Sequence, residues 1–130
     1  NNNLNSHIKK NNVDIMHGVT WNTNLGELIA CSKGVINPSI WPTTTEFTFL
    51  ETIGLGKPFF CYKVGIHKEV IRNGINGFAQ DLKDYKSLAE SIEMVNKNDL
   101  LYKEISRNSF KLYKKLTNKK HWKKQLQEII

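Results

Sequence analysis

Apolar residues in this chain gather in short clusters separated by polar turns, and the spacing inside each cluster predicts an element. Val13 to His17 alternates loosely and ends at Gly18, which predicts a short strand running into a loop. Asn24 then stands before LGELIACSK with Glu27 three residues on, a capping-box spacing that predicts a helix over about 25–33, closed by Gly34. Val35–Asn37 reads as a brief strand cut off by Pro38. A helix over about 44–55 follows, with Phe47, Leu50 and Ile53–Gly54 as its expected buried stripe, and then a strand at Pro58–Tyr62. Ile66–Arg72 is a third helix, stopped by Asn73–Gly74, and Asn76–Gly77 turns into a strand at Phe78–Ala79. Asp84 is placed to cap a helix over Tyr85–Val95, while Asp99 and Asn118 start two more, to about 116 and 130.

Short apolar strands alternating with helices imply βα units: a three-layer, Rossmann-like α/β architecture with a parallel sheet covered by helices on both faces. Four strands and no glycine-rich first loop make an incomplete sheet, so the chain is expected to be the second part of a larger nucleotide-binding domain. On this reading residues 1–11 are a loop remnant, 12–96 the nucleotide-binding region, and 97–130 basic helices packed on the domain or on a missing partner.

Charge widens the choice of partner more than it narrows it. A formal charge of +7, from 19 Lys and Arg against 12 Asp and Glu, suits a nucleotide, a nucleic acid or an anionic membrane surface. Lysines crowd the C-terminal helices opposite apolar faces that include Leu100, Ile105, Leu112, Trp122 and Leu126. Two uses fit that pattern: docking onto the domain or its partner, the favoured one, and lying on an anionic membrane. Nucleic-acid binding is the weakest reading, because aromatics are not interleaved on a sheet and no recognised motif is present. Cys31 and Cys61 fall in predicted helix and strand interiors and read as reduced core thiols of a cytosolic protein. No apolar run reaches transmembrane length and no signal peptide is evident.

The chemistry concentrates in residues 38–58, PSIWPTTTEFTFLETIGLGKP. Ligands of open α/β sheets sit beyond the carboxyl ends of the strands, the place this segment takes. Free amides at a helix start favour an anion, and Thr43, Thr44 and Thr45 add hydroxyl donors. Thr44 and Glu51 are nearly two turns apart, roughly 10 Å along one helix face, about the reach from a diphosphate to a ribose. A plainer account stands beside this one. Thr43 and Glu46 form a T-x-x-E capping box that needs no ligand, and Glu51 can be an ordinary solvated helix residue. His17 and His67 lie nearest the expected cleft but lack further ligands at metal spacing, so no metal is expected. His67 and Lys68 read as a solvated helix start, with contact to a phosphate as the alternative.

Several of these pieces, in this order and spacing, resemble a known family. Pro38–Ser39 with a following Trp and Pro, Leu50–Glu51, Gly56–Lys57–Pro58, Gly65 through Glu69–Val70–Ile71, and Asn73–Gly74–Ile75–Asn76–Gly77–Phe78 are similar to the C-terminal domain of retaining GT-B-fold glycosyltransferases. This is the family 4-like group that includes sucrose synthases and bacterial polysaccharide transferases. Val13 through His17–Gly18–Val19 and Leu25–Leu28 match upstream, so the resemblance covers about residues 12–95. It implies transfer of a sugar, with retention, from a nucleoside-diphosphate donor to an acceptor glycan or lipid-linked sugar in polysaccharide or glycolipid synthesis. It implies no cofactor, a cytoplasmic location extending to the inner membrane face, and a missing N-terminal domain without which these residues are inactive. No catalytic residue is assigned. The ribose-binding glutamate of the family falls on Glu51, and the family's earlier glutamate falls on Thr43, a departure that removes a carboxylate near the donor sugar. Gly18, Val19 and Trp21 lie in the loop that meets the nucleotide base, where Trp21 either stacks or serves the structure. The competing class is a non-catalytic nucleotide-binding or scaffold domain with the same fold, for which Thr43 argues.

Overall fold

A computed structural model of the chain describes residues 12–43, 46–118, 120, 124, 127 and 128. In order along the chain it contains α1 (Leu25–Cys31), β1 (Val35–Asn37), α2 (Phe47–Gly54), β2 (Phe59–Tyr62), α3 (Ile66–Val70), β3 (Phe78–Gln80), α4 (Tyr85–Lys97) and α5 (Asp99–Leu116). The three strands form one parallel sheet in the order β1-β2-β3, with Val35 opposite Phe59 and Phe60 opposite Phe78.

The central strand explains the layers. Every residue of β2 is buried, and its alternation divides Phe59 and Cys61 from Phe60 and Tyr62. Phe59 and Cys61 join Phe49 and Ile53 of α2, with Leu112, Tyr113 and Leu116 of α5 packed alongside. On the other face Phe60 and Tyr62 join Phe78, Leu88 and Val95, together with Ile105 from the first half of α5. One helix therefore contributes to both faces and uses most of its apolar side within the domain, although Leu100, expected on that side, is 80% exposed at its first turn. Asp84 caps α4 by accepting from Ser87 N at 3.1 Å, and Asn98 caps α5 by accepting from Leu101 N at 3.0 Å.

Four sequence expectations are corrected. Residues 13–17 form no strand; Val13, Ile15 and Met16 are about half exposed, and three loosely alternating apolar residues bury too little to hold a strand without a paired neighbour. Helix α2 begins at Phe47 and buries Phe49, Thr52 and Ile53, so Phe47, at 75% exposure, is not part of the stripe. Cys31 is exposed, because α1 turns Ile29 inward and leaves the helix end open to solvent. Helix α3 stops at Val70, since the Asn76 side chain donates to Val70 O at 3.0 Å and accepts from Arg72 N at 2.7 Å, holding the chain extended there. The helix expected from Asn118 lies for most of its length outside the described residues, Trp122 and Leu126 included. Among the described residues no helix is long and apolar enough to cross a membrane.

Candidate functional site

The loops that leave the carboxyl ends of β1 and β2 meet each other, and the meeting point builds the site. After β1 the chain is folded by its own side chains: Asn37 Oδ1 accepts from Ser39 N at 3.1 Å and Ser39 Oγ accepts from Trp41 N at 3.3 Å. Trp41 is left 74% exposed at the tip of this turn. Thr43 then runs against Gly65, and its carbonyl accepts from Ile66 N at 3.0 Å. Gly65 has φ +50, and a Cβ there would stand 2.2 Å from Thr43 O and 2.6 Å from Thr43 N. Only glycine admits that approach.

Glu46 takes a place that the sequence does not suggest. It is the N-cap of α2, with extended φ and ψ, and its side chain makes no capping bond to its own helix. The T-x-x-E capping box is therefore not formed, because the helix starts after Glu46 rather than after Thr43. Instead the carboxylate accepts a hydrogen bond from Asn37 Nδ2 and lies 2.7 Å from His67 Nε2. His67 is 1% exposed, not solvated, and its ring sits 5.5 Å from that of Phe49 and 5.3 Å from that of Phe59. The imidazole lies against Glu46 without the alignment of a hydrogen bond, and neither ring nitrogen has a hydrogen-bond partner among the described residues. Burial, reinforced by the Glu46 charge, pushes the nearby Cys61 thiol up to about 12. A carboxylate at the start of α2 also meets the helix dipole itself, so an anionic ligand approaching here shares that field with the protein's own charge.

Glu51 lies on the second turn of α2. Its Oε1 accepts from Trp21 Nε1 at 2.5 Å, across thirty residues of sequence. The Trp21 ring is set against Gly26, where a Cβ would stand 2.4 Å from Cζ3. Trp21, Leu50, Glu51, Gly54, Tyr113 and Thr117 line an open cavity of about 380 Å³. Gly18, at φ +68, and the half-buried Val19 belong to the loop that leads into Trp21.

The structure thus joins Glu51 to Trp21 and sets Thr43 at the junction of two loops, while Thr44 and Thr45 lie outside the described residues. His17 is exposed, and among the described residues no group of three His, Cys, Asp or Glu is arranged to hold a metal ion. The Asn37–Glu46–His67 cluster is absent from any sequence pattern. Its members are separated by loops of unrelated length, and Glu46 already has a satisfactory local explanation as a cap.

The profile of the glycosyl transferases group 1 family matches residues 1–112 of the chain. The fold is similar to that of HepE from Anabaena in complex with UDP-glucose, with a TM-score of 0.77 at 20% identity, covering 98% of this chain and 36% of that one. It is also similar to the C-terminal domain of the glycosyl transferase group 1 protein LpcC from Francisella tularensis, with a TM-score of 0.70 at 20% identity over 85% of this chain and 58% of that one. Sucrose-phosphate synthase from Thermosynechococcus elongatus gives a TM-score of 0.77 at 14% identity, over 98% and 33%. At such identities the likeness is one of fold. The chain spans about a third of the length of HepE, and no curated protein matches it.

Proposed function

The chain belongs to the glycosyl transferases group 1 family, and from that premise we propose that it supplies the donor-binding part of a retaining glycosyltransferase. The donor is a nucleoside-diphosphate sugar, and the product belongs to polysaccharide or glycolipid synthesis. Glu51 accepts the vicinal hydroxyls of the ribose, and Trp21 with the Gly18–Val19 backbone forms the wall against the base. Thr43, Thr44 and Thr45 are the hydroxyl donors offered to the diphosphate. The chemical demand is to stabilise the leaving diphosphate, which main-chain amides and cationic side chains meet by electrostatics. Acceptor contacts come from a second domain, so these residues alone transfer no sugar. The protein works in the cytoplasm, where its lysine-rich C-terminal residues dock on the domain or its partner and also suit the anionic inner face of the membrane.

The observation that carries this reading is the bond between Trp21 and Glu51 beside the cavity. A carboxylate held from one side is preorganised to receive hydroxyls from the other. HepE, whose complex contains UDP-glucose, makes UDP the natural first probe. Calorimetric titration of the chain with UDP should give measurable binding that Glu51→Gln weakens by about tenfold, the scale of one charge-assisted hydrogen bond. Equal affinity in the variant would remove the ribose role.

A second reading is favoured by Thr43 standing where the family's glutamate falls, while Glu46 is engaged with Asn37 and His67. In that reading the domain binds nucleotide and performs no transfer. Sugar turnover by a complete two-domain protein, assayed with UDP, GDP and ADP sugars, decides between them.

A further inference from the structure

We infer that Asn37, Glu46 and His67 form a pin that positions the diphosphate-facing turn of residues 38–43, an inference that rests on the donor-binding reading above. The three residues come from three different corners of the site. Asn37 ends β1, Glu46 opens α2, and His67 lies in the first turn of α3, just after β2. The Glu46 side chain is only 13% exposed and meets both of the others, so one carboxylate ties the three elements where their loops converge.

The neighbouring contacts show what the tie holds. Thr43 O receives Ile66 N at 3.0 Å beside Gly65, so the turn after β1 rests on the residue that precedes His67. Asn37 does double duty: Oδ1 accepts Ser39 N and starts the turn, while Nδ2 donates to Glu46. His67 is packed between Phe49 and Phe59, and Nε2 facing Glu46 is its polar contact among the described residues. Apolar packing would close this space equally well, but it would not set the angle of the turn. The directional bond from Asn37 to the Glu46 carboxylate, with the packed His67 ring braced against its other oxygen, does set it. These are positioning residues: they reach a ligand only through the turn they hold.

The electrostatics give a test with opposite signs. A bystander carboxylate near a diphosphate repels it, so neutralising Glu46 would tighten UDP binding. A pin predicts the reverse. In the 130-residue chain, Glu46→Gln and His67→Phe should each speed hydrogen exchange at the Ile66 amide by about tenfold or more, with the β2 amides of Phe60 and Cys61 unchanged. Each should also weaken UDP binding by about tenfold, and the double variant should be no worse than the weaker single one. If His67→Phe does not fold, Asn37→Asp takes its place, keeping the Oδ1 that accepts from Ser39 N while removing the Nδ2 donor to Glu46 at a half-buried site. Folded variants with unchanged Ile66 exchange, or a Glu46→Gln chain that binds UDP as tightly as before or more tightly, would overturn the pin. A wild-type chain that binds no UDP would instead count against the donor-site reading, and Ile66 exchange would still decide the pin.

Discussion

At the scale of single residues, the two cysteines show how strongly surroundings decide chemistry. Cys61 on β2 is fully buried against Ile71 and Ala79, and its thiol points to Phe78 O at 3.7 Å. Cys31 is exposed at the end of α1. A thiol reagent added to the native protein at pH 8 should therefore modify one cysteine promptly, Cys31, and reach Cys61 only on unfolding; mass mapping of the labelled peptide checks this. Cys61 also has a pH signature. Its thiol ionises near 9.0 when unfolded and near about 12 when folded, so its contribution to stability is whole below pH 9 and declines as pH rises towards 12. Denaturant midpoints should fall over that window, and less so in Cys61→Ala. The burial of Cys61 agrees with its place in an apolar strand, whereas the exposure of Cys31 is not legible from its place in a helix. Burial depends on which face another element covers.

At the scale of elements, α5 carries the most structural weight for its length. Its N-terminal half packs Leu101, Tyr102 and Ile105 on the α4 face of the sheet, and its C-terminal half packs Leu112, Tyr113 and Leu116 on the α2 face. Ile105 is 0% exposed, and Ile105→Ala should cost about 2–5 kcal/mol, read as a lowered denaturant midpoint with an unchanged slope. The same helix illustrates how an amphipathic pattern underdetermines its use. Lysines opposite leucines describe a helix on a membrane as well as a helix on a domain, and in this part of the chain the domain takes the apolar side. Helix α2 makes the complementary point. Its existence follows from the run of apolar positions, but its start shifts to Phe47 because Glu46 is drawn out of the helix by two partners that no local rule includes.

At the scale of the whole molecule, charge frames the function. The formal charge is +7, and Arg72, Lys111 and Lys115, together with the carboxylate of Glu69, line an open cavity of about 420 Å³ formed by α5, the end of α3 and the segment just before β3. The proposed membrane association therefore predicts binding to anionic vesicles, weakening steeply as salt rises, and none to neutral ones. Sedimentation with each vesicle type checks it, and removing residues 118–130 should reduce the bound fraction; binding that ignores lipid charge would count against it. The sheet has three strands among the described residues, and the chain covers 36% of HepE.

What was readable in advance is local or follows a period. Strands at 35–37 and 59–62, the helices around them and the α/β alternation follow from apolar clusters bounded by Gly, Pro and Asn, because each such signal acts within a few residues. Family membership was legible for a related reason: motif residues such as Pro38–Ser39, Glu51 and Gly56–Lys57–Pro58 keep their order and spacing along the chain. The rest depends on residues that meet only after the sheet has formed. Trp21 reaches Glu51, Thr43 closes on Gly65, and Glu46 abandons its capping role for Asn37 and His67. Those choices belong to the tertiary structure, since a side chain's partner is set by which loops converge at the ends of parallel strands, and spacing along the chain carries no record of that convergence.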